Sequence, residues 1–503
     1  MLRSLALLLL ACPLFAGPPN VLVIMADDLG YADLSFLPQS PADVKTPGID
    51  ALAASGTYFS NAYSPSPICS PSRAGFITGR YQERWGNYWY GQGGLPSAEF
   101  TLPKALKPHG HFCHKIGKTH LNGGAAEHPL DHGFDEFLGF IHHTWDYIRL
   151  SKKDEDAYRA HSKKLGILNV GPLTRGRKEK VSYEDGFTTE IFTEEAVKTI
   201  KASSAKKEPF YIQLEHNAVH MPTYITHPDY ARKAGYEQPV WDREAKSWEF
   251  PFWDPRKMSW DQWHKKWGHM GAIDPLGRKR YLANLMALDD SVARLMKVLD
   301  ETGQRENTIV VFLSDNGGTI NTYANNTPLR GYKYMFGEGG IRIPIIVSWP
   351  AGKVAQGATR SALASSMDVF PTVMDLIGGK LPENLDGKSL VHHLRGGDGS
   401  GHEQLCWAKG RDDTWVIRQG PWKLIRTKGW THTDFVLDES GIANPGPGYR
   451  YPAGTLLFNL DEDIGETTDL AASNPERVES MTAAYKVWRG QMGNPVRGKR
   501  SKK

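Results

Sequence analysis

Asn20-Val21-Leu22-Val23-Ile24-Met25-Ala26-Asp27-Asp28 is an apolar run that stops abruptly on two carboxylates. A strand with one wet face alternates apolar and polar residues. An unbroken run suits a strand covered on both sides, as in a mostly parallel sheet. Four more segments share this character: residues 112–116, 210–214, 308–313 and 343–349. Helical patterns separate them. The clearest spans 281–302, where Leu282, Leu285, Leu288, Val292, Leu295 and Leu299 form one apolar stripe and Gly303 ends it. Thr46-Pro47 reads as an N-cap and first-turn proline for a helix reaching Ser55, with Gly56 as its stop. This alternation predicts an α/β fold: a large mixed, mostly parallel sheet sandwiched by helices.

The pattern changes near residue 381. A helix over 367–377 is followed by Gly378-Gly379, then by short alternating strands at 415–418 and 422–425 and a helix over 475–489. This predicts a smaller antiparallel sheet with one helix packed on it. The expected organisation is a leader (1–16), a large N-terminal domain (18–380), a C-terminal subdomain (381–492) and a basic disordered tail (493–503), most basic from Arg497 to Lys503.

The leader has Arg3, an apolar run from Leu5 to Leu10 and small residues to Gly17, the three regions of a signal peptide. It predicts export to the periplasm or beyond. Cleavage near Ala16 fits best. Leu9-Leu10-Ala11-Cys12 also resembles a lipobox, which would leave Cys12 as a lipid anchor. No segment has the length and apolarity of a transmembrane helix. The 60 basic and 56 acidic residues leave a formal charge of +4, too small to point to nucleic acid or a membrane surface. Beyond Cys12 only Cys69, Cys113 and Cys406 remain, so at least one lacks an internal disulfide partner, and no pair has zinc-like spacing.

In open α/β sheets ligands bind beyond the carboxyl ends of the strands. Four of the five strands end there in polar clusters: Asp27-Asp28, Lys118 with His120, the segment to His220, and Asp315-Asn316. Asp289-Asp290, in contrast, is expected on a solvated helix face. Asp27, Asp28 and Asp315 repel one another unless a cation lies among them, and Asn316 adds a neutral oxygen. All-oxygen ligands select a hard ion, and a mainly protein cage favours Ca²⁺ over Mg²⁺. Arg73, Lys118 and Lys333, with His120 and His220, form the opposing cationic group. Metal plus cations suits an anionic ester, sulfate or phosphate.

Within Cys69-Ser70-Pro71-Ser72-Arg73, Pro71 suits the first turn of a helix running to Thr78. Cys69 then sits at the helix N-terminus, as a nucleophilic thiol or as a buried structural cysteine. The segment continues to Thr78-Gly79-Arg80 and resembles the CxPSR…TGR signature of type I, formylglycine-dependent sulfatases of the arylsulfatase-like, secreted bacterial carbohydrate kind. Residues 20–31, Thr46-Pro47-Gly48-Ile49-Asp50, Gly117-Lys118-Thr119-His120, Asn217-Ala218-Val219-His220, Ser314-Asp315-Asn316-Gly317-Gly318, Leu329-Arg330-Gly331-Tyr332-Lys333 and Leu457-Phe458-Asn459-Leu460 with Gly465-Glu466-Thr467 follow the family in order. Val219 departs from it, standing where proline is more usual.

The resemblance implies an alkaline-phosphatase-like fold and a sulfuric ester hydrolase. It implies that Cys69 is converted to formylglycine (3-oxoalanine) by a maturation enzyme. One Ca²⁺ would be held by Asp27, Asp28, Asp315, Asn316 and the modified Cys69. The aldehyde hydrate would attack sulfur, with Arg73 orienting it and Lys118 and Lys333 stabilising charge on the sulfuryl group. His220, with Lys333, would contact the leaving-group side and act as general acid. His120 would take the proton that releases sulfate. His114, His128, His142 and His143 are given no such role and read mostly as surface or packing residues, with His142-His143, after the segment from Gly133-Phe134 to Gly139-Phe140, placed where they could approach the site.

The substrate is less defined. Trp241, Trp248, Trp253, Trp260, Trp263 and Trp267, and separately Trp85, Tyr88, Trp89 and Tyr90, suit either a sugar-binding cleft or local packing. The Lys-rich stretch 151–164 reads as a solvated loop. A sulfated polysaccharide or glycosaminoglycan is the expected substrate class. The competing readings are a phosphoesterase or phosphonate monoester hydrolase of the same superfamily and a non-catalytic sulfated-glycan binder. The cysteine signature and single-ion ligand set argue against the first, and the complete set of Cys, Lys and His against the second.

Overall fold

Alternate residues of the first strand, β1 (Asn20–Ala26), enter two different cores. Leu22, Ile24 and Ala26 face one apolar cluster and Val21, Val23 and Met25 the other, all essentially without solvent exposure. Each buried aliphatic side chain contributes roughly 1.5–3 kcal/mol, so a strand apolar on both faces stays in the middle of the sheet. The computed structural model describes residues 17–496 apart from 122–127, 143–146, 148–172, 182–185, 222, 224–225, 238–240, 243–246, 249–273, 411–412, 433–434 and 447–448. The leader with Cys12, the Lys-rich stretch, His143, Trp253, Trp260, Trp263, Trp267 and residues 497–503 lie outside the described residues. Trp241 and Trp248 belong to a pair of two-residue antiparallel strands.

Among the described residues the large sheet has ten strands. Besides β1 these are β2 (Thr57–Phe59), β3 (Phe112–Lys118), β4 (Glu136–Phe140), β5 (Leu173–Arg175), β6 (Glu179–Val181), β7 (Phe210–Glu215), β8 (Thr308–Ser314), β9 (Ile345–Ser348) and β10 (Ala358–Arg360), in the order β10-β2-β9-β8-β1-β7-β3-β4-β5-β6. The central neighbours β8, β1, β7 and β3 are mutually parallel. Their carboxyl ends therefore share one edge, with Ala26 opposite Ser314 and both Met25 and Gly117 opposite Glu215. Gly117 has φ 91°, and a Cβ there would fall 2.0 Å from the Glu215 carbonyl oxygen, so only glycine lets β3 lie this close to β7.

The fifth expected strand is shorter than the apolar run and antiparallel to its neighbours β8 and β2. After β8 the chain stays at the carboxyl edge, through the single helical turn Glu338–Ile341, and re-enters the sheet from that side. Without a crossover helix the return is antiparallel.

Helices cover both faces. They include α1 (Pro47–Ala54), α2 (Cys69–Thr78), α3 (Thr188–Lys206), α4 (Gly277–Glu301) and α5 (Val369–Leu376). The predicted leucine stripe of α4 is buried. Asp289, expected in solvent, is buried too, while its neighbour Asp290 is exposed. Its carboxylate accepts the backbone N–H groups of Gly48 and Ile49 at the start of α1. Thr46, expected to cap that helix, makes no side-chain cap bond and instead donates to Asp50.

A second sheet has the antiparallel order β11 (Leu405–Ala408), β12 (Trp415–Gln419), β13 (Trp422–Thr427) and β14 (Gly454–Asn459). Helix α6 (Pro475–Gly490) packs on it, with Tyr485 stacked on Trp415 at a centroid separation of 4.1 Å. A buried ionic cluster joins this sheet to the loop before β9. Lys423 Nζ lies 2.9 Å from Glu338 and 2.8 Å from Glu466, and Tyr63 donates to Glu338 at 2.7 Å.

Candidate active site

The parallel strands deliver their terminal side chains to one buried cluster. Asp27 and Asp28 leave β1, Lys118 ends β3, Glu215 ends β7, and Asp315 with Asn316 follow β8. All are at most 1% exposed. Asp28 adopts φ 61°, a left-handed backbone that costs a non-glycine residue about 1–2 kcal/mol. The turn is held by the Asp28 N–H donating to Asp315 Oδ1 at 3.2 Å.

Helix α2 brings in Cys69 and Arg73. Cys69 is its first residue, and Ser72 one turn on donates to the Asp315 carbonyl, tying the helix to the end of β8. Cys69 Sγ then lies 3.6 Å from Asp27 Oδ1 and 3.9 Å from Asp28 Oδ1. Burial and the adjacent carboxylates push its thiol well above the usual range. The unmodified side chain is therefore a poor thiolate nucleophile here.

Three buried cations balance the carboxylates. Arg73 contacts Asp315 Oδ2 through Nε at 3.0 Å and Nη2 at 2.8 Å, and Asp27 at 3.4 Å. Lys118 pairs with Asp27, and Lys333 lies 2.8 Å from Asp28. Burial alone would raise the Asp27 carboxyl, but Lys118, Arg73 and Lys333 hold it below its ordinary value. Asp28 is pushed up to about 6, chiefly by burial, with Asp27 and Asp315 adding to the effect against Lys333. Three carboxylates crowded this closely suit an additional positive charge.

The donor chemistry fits such an ion. Asn316 donates its amide N–H to Asp28 at 2.7 Å, while among the described residues nothing donates to its buried Oδ1. Asp27, Asp28, Cys69 and His220 offer ligand atoms within 4.8 Å of one another. With Asp315 and Asn316 alongside, the set is dominated by oxygen and could hold a hard divalent cation.

His220 follows β7, with Nδ1 2.7 Å from the Met221 carbonyl and Nε2 3.6 Å from Asp28. Only a protonated Nδ1 can bond a carbonyl, so Nε2 is the atom turned to the cluster. His120 lies two residues beyond Lys118, buried with φ 48°, and its backbone N–H bonds the Ile141 carbonyl. Contacts thus join Asp27, Asp28, Cys69, Arg73, Lys118, His220, Asp315, Asn316 and Lys333, while His120 stands next to them at the end of β3.

Glu215 is the residue that sequence reading missed. It pairs with Arg73 and lies 2.9 Å from Lys115, and Gln213 also donates to it. Its position at the end of an apolar strand was the available signal. Burial holds the Lys115 ammonium down to about 7, with Glu215 opposing that shift. Among the other histidines, His142 is exposed, and His128 packs by accepting the Leu130 N–H.

Of the aromatic residues after α2, Tyr88 is buried in the apolar cluster beneath the second sheet and Trp85 donates to the Gly94 carbonyl. Both therefore pack. Trp89 lies 6.3 Å from Tyr334 by ring centroids, and Tyr334 adjoins Lys333 in sequence with its ring 5.5 Å from the Lys333 Nζ. Tyr90 and Tyr334 are 58% and 40% exposed, so this group opens to solvent beside the cluster.

The chain is similar to known proteins along most of its length. N-acetylgalactosamine-6-sulfatase of Mus musculus is 30% identical, over 96% of this chain and 89% of that protein. Arylsulfatase A of Bos taurus is also 30% identical, over 96% and 90%. Among solved structures, Ps i-CgsB in complex with k-i-k-neocarrahexaose superposes with a TM-score of 0.75 at 29% identity, covering 96% of this chain and 95% of that one. The phosphonate monoester hydrolase of Agrobacterium radiobacter, at 20% identity and a TM-score of 0.61, shares the fold. The family model described as Sulfatase matches residues 19–379, and the chain belongs to the sulfatase family.

Proposed function

We propose that this sulfatase hydrolyses sulfate esters of a sulfated carbohydrate, using formylglycine made from Cys69 and one Ca²⁺ held by Asp27, Asp28, Asp315 and Asn316. The observation that carries the reading is Cys69 at the start of α2, its Sγ over Asp27 and Asp28 and among Arg73, Lys118 and Lys333. The bound ion would supply positive charge to the sulfate oxygens. The aldehyde hydrate would supply an attacking hydroxyl and a second one, whose deprotonation expels sulfate.

The protein's own groups do the remainder. Lys118 and Lys333 exchange part of their carboxylate contact for the ester oxygens and favour the charge that grows on them. Arg73, fixed by Asp315 and Glu215, orients the nucleophile. His220 presents Nε2 to the leaving alcohol as general acid, its ring set by the Met221 carbonyl. His120 accepts the proton of the second hydroxyl.

The named activities of the relatives and the k-i-k-neocarrahexaose ligand of Ps i-CgsB support a carbohydrate substrate, as does the Trp89–Tyr334 pair, with Tyr334 next to Lys333. We place the catalytic domain at 18–380 and its C-terminal partner at 381–492. Among the described residues no helix is long and apolar enough to cross a membrane. The leader supports export, with Cys12 the alternative lipid site.

Mass measurement of tryptic peptide 46–73 from the natively exported protein tests this reading. Conversion removes H₂S and adds one oxygen, and hydration then adds one water. An unmodified peptide from a host with maturation machinery would overturn the mechanism.

A further inference from the structure

His114 lies near the start of β3, at the opposite end of the strand from Lys118. The imidazole is 0% exposed. Its Nδ1 is 2.9 Å from Thr199 Oγ1 on α3. That hydroxyl spends its one proton on the Glu195 carbonyl at 3.0 Å. Thr199 can therefore only accept from His114, so Nδ1 carries the hydrogen and Nε2 is a bare lone pair.

Among the described residues this lone pair has no hydrogen-bond partner. It faces Glu136 Oε2 and Glu195 Oε1, each at 3.9 Å. The three ligand atoms lie within 4.8 Å of one another. Three acceptor atoms converge there, and although Arg175 donates to Glu195 Oε1, no described group donates to His114 Nε2.

We propose that His114, Glu136 and Glu195 form a second metal site, for a divalent transition ion of the Zn²⁺ class, separate from the catalytic cluster. One imidazole with two carboxylates suits Zn²⁺ rather than Ca²⁺ or Mg²⁺, and water completes the coordination. Arg175, 2.5 Å from Glu195 Oε1, orients that carboxylate as an outer partner, and Lys198 approaches its other oxygen at 4.0 Å. Glu136, with its side chain 52% exposed, leaves the ion a path from solvent. The site joins β3, β4 and α3 and so clamps the β3 side of the large sheet to its covering helix.

The test uses the full-length protein saturated with Ca²⁺, dialysed against Zn²⁺ and analysed for both metals. One Zn²⁺ per chain is expected, with a rise in Tm on Zn²⁺ addition. Glu136→Gln, at a half-exposed position, is expected to weaken Zn²⁺ binding at least about tenfold and to abolish the Tm rise, with sulfatase turnover unchanged. His114→Gln is expected to behave alike if it folds. No Zn²⁺ on the parent protein, or the same Zn²⁺ affinity in Glu136→Gln, would overturn the proposal.

Discussion

Asp289, on α4, accepts the N–H groups of Gly48 and Ile49 at 2.9 and 2.8 Å and so caps α1 from a different helix. Asp289→Ala should leave both donors unsatisfied and lower stability by about 1–3 kcal/mol in urea unfolding. Burial raises this carboxyl to about 6, above the unfolded value, although the two backbone bonds oppose the shift. The folded state thus holds more protons between roughly pH 4 and 6, and this contribution to stability is greatest below that window and declines as pH rises through it. Asp289→Asn should flatten that segment of the stability–pH curve. An unchanged curve would rule the titration out.

Glu215 anchors Arg73 and Lys115 beside the carboxylate cluster at the sheet edge. Glu215→Ala should destabilise the fold by several kcal/mol, on the order of the 3–5 kcal/mol lost when one partner of a buried ion pair is removed. Glu215→Gln should retain more stability yet lower kcat, because Arg73 loses a charged anchor. Equal kcat in Glu215→Gln and the parent protein would show that Arg73 is held sufficiently by Asp315 alone.

Lys333→Ala and Lys118→Ala should each reduce kcat/KM by about 10²–10³, the usual cost of one preorganised charge donor. Chelation of Ca²⁺ should abolish turnover and lower Tm. Readdition at about 100 times Kd should restore about 2.7 kcal/mol of stability by mass action. A chelated protein with full activity would exclude the metal role.

Trp89 lies beside Tyr334, whose ring is 5.5 Å from the Lys333 Nζ. Alanine at either should raise KM for a sulfated oligosaccharide about 5- to 150-fold, the loss of roughly 1–3 kcal/mol of ring stacking, taking base–aromatic stacking as the measure. Turnover of a small aryl sulfate should change little. Equal losses on both substrates would indicate a packing role.

Lys423 bridges Glu338 and Glu466 between the two sheets. Burial opposes ionisation of Glu338, but Lys423, Arg418 and Arg342 outweigh it and hold the carboxyl down to about 2. Its folded value is thus below the unfolded one. Its stabilisation is present above about pH 4.5 and is lost as pH falls toward 2. Lys423→Met should destabilise by about 3–5 kcal/mol at neutral pH and weaken this acid dependence, as read by thermal unfolding across pH 2–6.

The strands that carry the site are legible in the sequence because burial on both faces leaves an unbroken apolar run, as in β1 and β8, and the strand rule assigns their carboxyl ends to the ligand. Asp27, Lys118 and Asp315 can be read in this way. The direction of β9 cannot, since an apolar run is the same read parallel or antiparallel, and only the missing crossover helix decides it. Asp289 and Glu215 were likewise decided by the tertiary structure. A carboxylate on a helix or at a strand end has no visible partner in sequence, and Gly48 and Arg73 become its partners only when distant segments pack. The chain by itself determined which groups would gather at the sheet edge; folding decided which charges balance which, because electrostatic pairing depends on distances that the linear order does not contain.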